Sequence, residues 1–121
     1  MAIKRREKTA FGIYLVRMIK DAGISQEEFY TKVGIKKPYF YDILKGSPPP
    51  RETLERINDV LDELLTPDET RRRTLLNLAS QYRGEIPSDI HDLIISHPDQ
   101  WDIIRVTLNQ LLSSNNIIPF I

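Results

Sequence analysis

Apolar residues recur at three- and four-residue spacing along almost the whole chain, and this helical period restricts the fold more than any other feature. The first such segment follows Thr9, a good N-cap residue, and ends at Gly23. Its apolar positions are Phe11, Tyr14, Leu15, Met18, Ile19 and Ala22. No segment shows the apolar and polar alternation of a half-buried strand. The pattern therefore predicts an all-α fold.

A second, shorter helix is predicted directly after the first. Ser25 and Glu28 have the spacing of a capping box, in which each side chain accepts a hydrogen bond from the backbone N–H of the other residue. The apolar residues Phe29 and Val33 continue the helical spacing, and Gly34 ends it. Two helices are thus expected to flank a connection of about one turn.

A third helix is predicted from the position of a proline. Proline is tolerated only in the first turn of a helix, so Pro38 places the helix start near Lys36 or Lys37, and Gly46 closes it. At 100° per residue, one side of this helix is apolar and carries Phe40, Ile43 and Leu44. The opposite side carries Pro38, Tyr41, Asp42 and Lys45, with Lys37 at its margin. The third helix is therefore expected to present a polar, partly aromatic face.

Four further helices are predicted after a proline-rich loop. They are residues 51–65, a fifth helix capped by Thr66 and opened by Pro67 that ends at Gly84, a sixth from Pro87 and a seventh from Pro98. The run Arg71, Arg72 and Arg73 in the fifth helix either adds phosphate contacts or forms a solvated face, and the second interpretation is the one favoured. The predicted organisation is a domain over residues 9–84 and a C-terminal helical extension over residues 85–121.

Composition excludes several classes of protein. A chain of 121 residues can bury one core of ordinary size, and no apolar run reaches the roughly 18 residues of a membrane span. The basic start has no apolar secretory region, so a cytoplasmic location is expected. Without cysteine there is no disulfide framework or thiolate site. His91 and His97 are separated by a helix body and have no second ligand set, so neither metal, cofactor nor catalytic residue is predicted.

The formal net charge of zero hides an asymmetry between the two parts of the chain. Residues 1–46 hold ten Lys and Arg against five Asp and Glu, which gives +5 and leaves −5 for the remainder. A basic part joined to an acidic part indicates that one end meets a polyanion. Two solvated surfaces of opposite sign explain the same numbers, so charge alone does not decide between them.

Three segments together resemble the lambda-repressor-like helix-turn-helix family, also called XRE. They are "GISQEEF" for the turn and second helix, "GIKKPYFYDILKG" for the recognition helix and "ETLERINDVL" for the fourth helix. The resemblance covers about half of the chain. It implies a five-helix domain that binds double-stranded DNA and regulates transcription, as a repressor of bacterial or phage origin.

The resemblance also implies which residues meet the DNA. The recognition helix enters the major groove, its lysines lie near phosphates or guanine edges, and its tyrosine and aspartate lie near bases. Asp42 either accepts from a cytosine or balances a nearby lysine. The implied DNA-contacting residues are Gln26, Lys36, Lys37, Pro38, Tyr41, Asp42 and Lys45, with Arg5 and Arg6 of an N-terminal arm.

Three positions depart from the family pattern. Tyr30 replaces the usual alanine, so either the angle between the second and third helices is opened or the ring lies at the rim. Ile19 and Leu44 replace an arginine–glutamate pair, an exchange that need not cost stability. Pro38 has no hydrogen-bond donor and can offer a base only an apolar contact. These departures keep a second hypothesis open, an antitoxin or anti-repressor that binds a protein partner on the same scaffold.

The C-terminal extension is predicted to hold the chain in a homodimer. Its last helix is apolar over a band wider than a small monomer needs to pack, and the chain ends on Ile117, Ile118, Pro119, Phe120 and Ile121. A two-fold dimer doubles the contact area and the specificity of a helix-turn-helix. The residues predicted at this interface are Trp101, Ile104, Leu108, Leu111, Ile118 and Phe120.

Overall fold

A computed structural model describes residues 7–117, with side chains described for residues 7–113. Within this range the chain is all-helical, without a strand, so the predicted all-α class is confirmed. The helices are α1 (Ala10–Asp21), α2 (Gln26–Val33), α3 (Lys37–Lys45), α4 (Arg51–Leu64), α5 (Glu69–Arg83), α6 (Ser88–Ile95) and α7 (Trp101–Ile117), with a 3₁₀ turn at Pro98–Gln100. Two compact units result, the first ending at Pro87 and the second beginning at Ser88.

The first two helices begin at the capping residues that the sequence predicts. The Thr9 hydroxyl accepts a hydrogen bond from the backbone N–H of Gly12 at 3.1 Å, and the Ser25 hydroxyl accepts from that of Glu28 at 3.0 Å. Gly34 ends α2 with φ of 89°, a left-handed conformation that residues with a Cβ rarely adopt. The local signals thus fix both ends of the short second helix.

The core of the first unit lies between α1, α3, α4 and α5, with α2 packed across α3 and α4. Three phenylalanines, Phe11, Phe29 and Phe40, are almost fully buried in it. Ile19 and Leu44 are buried as well, so the two positions where the resembled family pairs charges are occupied by packed apolar side chains. The predicted inner side of the third helix is confirmed.

A close contact joins the start of α1 to the end of α3. The backbone N–H of Thr9 donates to the carbonyl oxygen of Leu44 at 3.0 Å. A Cβ added to Gly12 would lie 2.1 Å from that same oxygen, far inside van der Waals contact. Glycine is therefore required at position 12 for α3 to approach α1 in this way.

The predicted start of the fifth helix is wrong by two residues. Asp68, rather than Thr66, is the N-cap, and α5 begins at Glu69 rather than at Pro67. The Asp68 carboxylate accepts from two backbone N–H groups of the first turn, the shorter bond being 2.9 Å. The carbonyl of Thr66 accepts instead from the guanidinium of Arg71. A carboxylate near the positive end of the helix stabilises it more than a hydroxyl does.

The interpretation of the arginine run as a solvated face is wrong for two of its three members. Arg71 is buried and donates to Asp62 at 2.6 Å, while Arg72 donates to Asp62 at 2.7 Å and to Asp59 at 2.6 Å. Burial by itself raises the pKa of the Asp62 carboxyl, but hydrogen bonds and charges from Arg72 and Arg71 outweigh it and hold that pKa below its ordinary value. Only Arg73 is exposed. The first two arginines join α5 to α4.

The second unit consists of α6, the 3₁₀ turn and α7. The indole N–H of Trp101 donates to the carbonyl oxygen of Ile94 at 2.8 Å, which fixes the start of α7 against the end of α6. The ring nitrogen Nδ1 of His97 lies 2.9 Å from the carbonyl oxygen of Leu93, at the end of α6. Among the described residues, no helix combines the length and the apolar character needed to cross a membrane.

Candidate nucleic-acid interface

The connection between α2 and α3 is held by backbone and side-chain hydrogen bonds. The N–H groups of Gly34 and Ile35 both donate to the carbonyl oxygen of Tyr30 at 3.0 Å, which closes α2. The guanidinium of Arg56 on α4 donates to the carbonyl oxygen of Val33 at 3.1 Å. These bonds satisfy carbonyls that the helix end leaves open. The turn before α3 is therefore tied to the body of the unit.

The inner side of α3 is anchored in the core by packed aromatic rings. The Phe40 ring centroid lies 6.2 Å from that of Phe29 and 5.3 Å from that of Tyr30, both in tilted arrangements. Tyr30 is only half-buried. Its ring therefore lies at the rim of the core, the second of the two positions predicted for it. These two ring contacts stabilise the fold beyond the contribution from burying the rings.

The outer side of α3 is exposed and carries most of the residues predicted to contact DNA. Lys36 is the N-cap, with an extended backbone, and Lys45 is half-buried at the other end. The ammonium of Lys37 lies 6.0 Å from the centroid of the Tyr41 ring, at the limit of a cation–π contact. That ring is 39% exposed. The predicted DNA-contacting residues that are exposed here are Lys36, Lys37, Pro38, Tyr41 and Asp42.

Sequence reasoning missed one exposed aromatic residue on this helix. Tyr39 is 38% exposed and follows Pro38 in the first turn of α3. The same 100° rotation that placed its neighbours sets Tyr39 on the far flank of the face from Lys37. The helical period was enough to predict the exposure of Tyr39, because it places this residue outside the apolar side of Phe40, Ile43 and Leu44.

Gln26 lies away from α3, at the first position of α2. It is half-buried and lines a shallow cleft with side chains of α1 and of the loop that follows, namely Val16, Ile19, Lys20 and Ile24. The predicted DNA contacts Arg5 and Arg6 lie outside the described residues. The structure therefore exposes five predicted residues between the N-cap and the middle of α3, with Lys45 half-buried at the end of the helix and Gln26 on the preceding helix.

Two exposed arginines of the first unit donate hydrogen bonds to backbone carbonyls within the protein. Arg56 donates to the carbonyl oxygen of Val33 at the end of α2. Arg83 on α5 donates to the carbonyl oxygens of Pro48 and Pro49 at 2.6 and 2.7 Å. No sequence signal identifies these roles, because the partners are backbone carbonyls distant in the chain. The cations on the outer side of α3 are thus lysines.

The residues predicted at a dimer interface have different exposures. Trp101, Leu108 and Leu111 are exposed, and Ile104 is half-buried. Ile118 and Phe120 lie outside the described residues. Within the described part of the chain, no group of three His, Asp or Glu side chains is arranged to hold a metal ion.

The chain matches no protein-family model, no curated protein and no solved structure. Its function must therefore be argued from the geometry and charge of the sites described above.

Proposed function

We propose that the protein binds double-stranded DNA through the outer side of α3 and regulates transcription. One observation carries the proposal: α3 is a short helix with one side completely buried and the opposite side exposed, cationic and aromatic, placed one turn after α2. That arrangement is typical of a lambda-repressor-like helix-turn-helix module, in which the second helix of the pair enters the major groove.

The chemistry of the exposed side suits this role. Lys36 and Lys37 extend from the first turn of α3, where they would meet phosphates or the acceptor atoms of guanine. Tyr41 is large, partly exposed and flanked by Lys37, so its ring would contact base edges without a large loss of side-chain freedom. The buried anchors Phe40 and Ile43 would hold the helix rigid as it enters the groove.

The charge of the chain supports binding on this side. The basic part, residues 1–46, includes α1, α2 and α3, whereas the acidic part begins after α3. The arginine run of α5 is mostly used in ion pairs with Asp59 and Asp62 and therefore offers a polyanion little. A polyanionic duplex would be attracted to the part of the chain that carries the excess of positive charge.

The experiment is a binding titration against a random pool of short duplexes, followed by selection and sequencing of the bound fraction. Binding is expected to weaken linearly in log salt, with a slope of about −0.9 for each phosphate neutralised. Lys37→Ala should reduce the magnitude of the slope by about that amount if the lysine meets a phosphate. Arg73→Ala, which removes an exposed cation from α5, is the matched control and should leave the slope unchanged.

Two results would contradict the proposal. Absence of binding at low salt would exclude DNA as the ligand and favour the protein-binding alternative. Equal losses from Lys37→Ala and Arg73→Ala would show that the attraction comes from overall charge and not from α3.

A further inference from the structure

An apolar stripe runs along α7. Residues 101, 104, 108, 111 and 112 fall within about 100° of one another at 100° per residue, and four of them repeat with alternating spacings of three and four. This is the spacing of a helix that packs lengthwise against another helix. We name as the α7 stripe the residues Trp101, Ile104, Leu108, Leu111 and Leu112.

The two ends of the α7 stripe differ in shape. At its start, Ile94 of α6 and the side chains of α7 line an apolar cleft, whose α7 members are Trp101, Ile104, Arg105 and Leu108. At its other end, Leu111 and Leu112 project with more than half of their surface exposed, 55% and 58%. The second unit thus carries both a concave apolar site and a convex apolar site on one helix.

The few charged residues of α7 indicate which kinds of partner the α7 stripe can bind. Its charged residues are Asp102 and Arg105, which form an ion pair of 2.7 Å with each other in the first turns. A helix that lies on a membrane surface usually has several lysines or arginines on its polar side, and α7 has one arginine that is already paired. Nothing on the helix selects an acidic or a basic partner, and nothing on it repels a second copy.

We propose that the α7 stripe pairs with the α7 stripe of a second copy of the chain, in antiparallel orientation about a two-fold axis. Leu111 lies ten residues beyond Trp101, which is about 15 Å along a helix. In an antiparallel pair, Leu111 and Leu112 of each copy reach the cleft at the start of the other copy's stripe. A two-fold interface requires such self-complementarity, and a second copy supplies both sites at once.

The exposed surface of the α7 stripe limits the size of the dimer interface. The exposed parts of its residues amount to roughly 280 Å² of apolar surface per chain, taking about 100 Å² for a whole aliphatic side chain and about 250 Å² for tryptophan. Since about 65% of a homodimer interface is apolar, the full contact would bury on the order of 430 Å² per chain. This is about half of the roughly 800 Å² per partner of a standard interface, which is the size of a weak dimer.

The first test measures molar mass by light scattering during size-exclusion chromatography. The full chain of 14.1 kDa is expected to run at twice its mass at micromolar concentration. Leu111→Glu should restore a monomer, because a carboxylate would have to enter the partner's cleft. The matched control is Ile103→Glu, which changes a 63%-exposed residue on the opposite side of the same helix and should leave the dimer intact.

The second test determines orientation from single introduced cysteines, since the chain has none of its own. Thr107 lies on one flank of the α7 stripe, and Gln100, the last residue of the 3₁₀ turn, is one heptad earlier, where continuation of the period of α7 by one residue gives the same flank. In the antiparallel pair with Leu111 opposite Trp101, the two copies of residue 107 lie beside the two-fold axis, whereas the two copies of residue 100 are about 18 Å apart along the helix direction. Oxidation should therefore link Thr107→Cys into a dimer and leave Gln100→Cys unlinked, since a disulfide needs Cα atoms within about 7 Å.

Neither test uses DNA, so failure of this proposal and failure of the proposed function are distinguishable. A monomeric full chain would overturn the pairing, and so would a dimer that survives Leu111→Glu. Equal cross-linking at residues 100 and 107 would overturn the antiparallel arrangement. A monomer that binds phosphatidylserine vesicles, and loses this binding in Leu111→Glu, would identify the stripe as a membrane-contact surface instead.

Discussion

Substitution of Gly12 by alanine tests the contact that positions α3. The added Cβ would lie 2.1 Å from the carbonyl oxygen of Leu44 and 2.8 Å from its carbonyl carbon and Cα. All three atoms are backbone, so no side-chain rotation can relieve the overlap. Because ordinary contact begins near about 3.4 Å, α1 and the end of α3 must separate by about 1 Å.

The cost can be estimated from three contributions. Overpacking of this kind costs about 1 to 3 kcal/mol. The hydrogen bond of 3.0 Å from the Thr9 N–H to the Leu44 oxygen would be stretched beyond bonding distance, a further loss of about 1 kcal/mol. Alanine is preferred over glycine inside a helix by about 1 kcal/mol, which offsets the second loss. The expected decrease in the free energy of unfolding is therefore about 1 to 3 kcal/mol.

Urea denaturation followed by far-ultraviolet circular dichroism measures this decrease. The control is Gly23→Ala, where φ is 73° and no atom lies within 4 Å of the added Cβ, so backbone strain of about 1 to 2 kcal/mol is the expected cost. The two variants differ in a second readout. Gly12→Ala displaces α3 and should weaken DNA binding when folded, whereas Gly23→Ala should not. A Gly12→Ala protein as stable as the unaltered chain would refute the close approach.

Three further predictions follow from named contacts. Because the pKa of Asp62 is lower in the folded chain than the ordinary value of about 3.9, its ion pairs stabilise the fold at neutral pH and are lost as the pH falls through the folded pKa. Asp62→Asn should reduce this acid sensitivity and cost about 3 kcal/mol at neutral pH, since Arg71 stays buried without its carboxylate; an unchanged denaturation curve would contradict the pairing. Tyr41→Ala should change which selected sequences are preferred, by about 1 to 3 kcal/mol, whereas Gln26→Ala should weaken all sequences alike; uniform losses in both would refute the assigned contacts. Phe40→Ala should lower the free energy of unfolding by about 3 to 5 kcal/mol through the cavity it leaves, and a smaller loss would mean that α3 is not anchored by this ring.

The order and type of the helices could be predicted because the local signals agree with one another. Thr9 and Ser25 cap their helices, Gly34 takes the left-handed conformation, and Pro38 falls in the first turn of α3. Each of these residues acts on its own turn of backbone, so the sequence nearby contains the whole cause. The outward side of α3 follows from the same helical period.

Features that depend on distant partners could not be predicted. Gly12 is required by a carbonyl 32 residues away, and Arg83 bonds a loop more than 30 residues before it. The pairing of the arginine run has no local signal, because the acidic partners Asp59 and Asp62 lie on the preceding helix and not within the run. The predicted N-cap of α5, Thr66, is wrong because Asp68, two residues later, also fits the local rule and accepts from the N–H groups of the first turn.

The cations of α3 are lysines and not arginines, and this has a consequence for specificity. Arginine can form paired, planar hydrogen bonds, but Arg56, Arg71 and Arg83 already donate to oxygens within the protein. The exposed side of α3 carries lysine, which acts as a point charge and meets phosphates without fixing their orientation. If this side reads DNA, discrimination between bases must therefore come from its tyrosine, aspartate and proline and from any lysine that meets a guanine, and it should be modest at each position. A two-fold dimer through α7 would compensate by reading two half-sites about one turn of the DNA helix apart. The selected sequences should therefore be imperfect palindromes, and the affinity for them should decrease steeply with salt concentration.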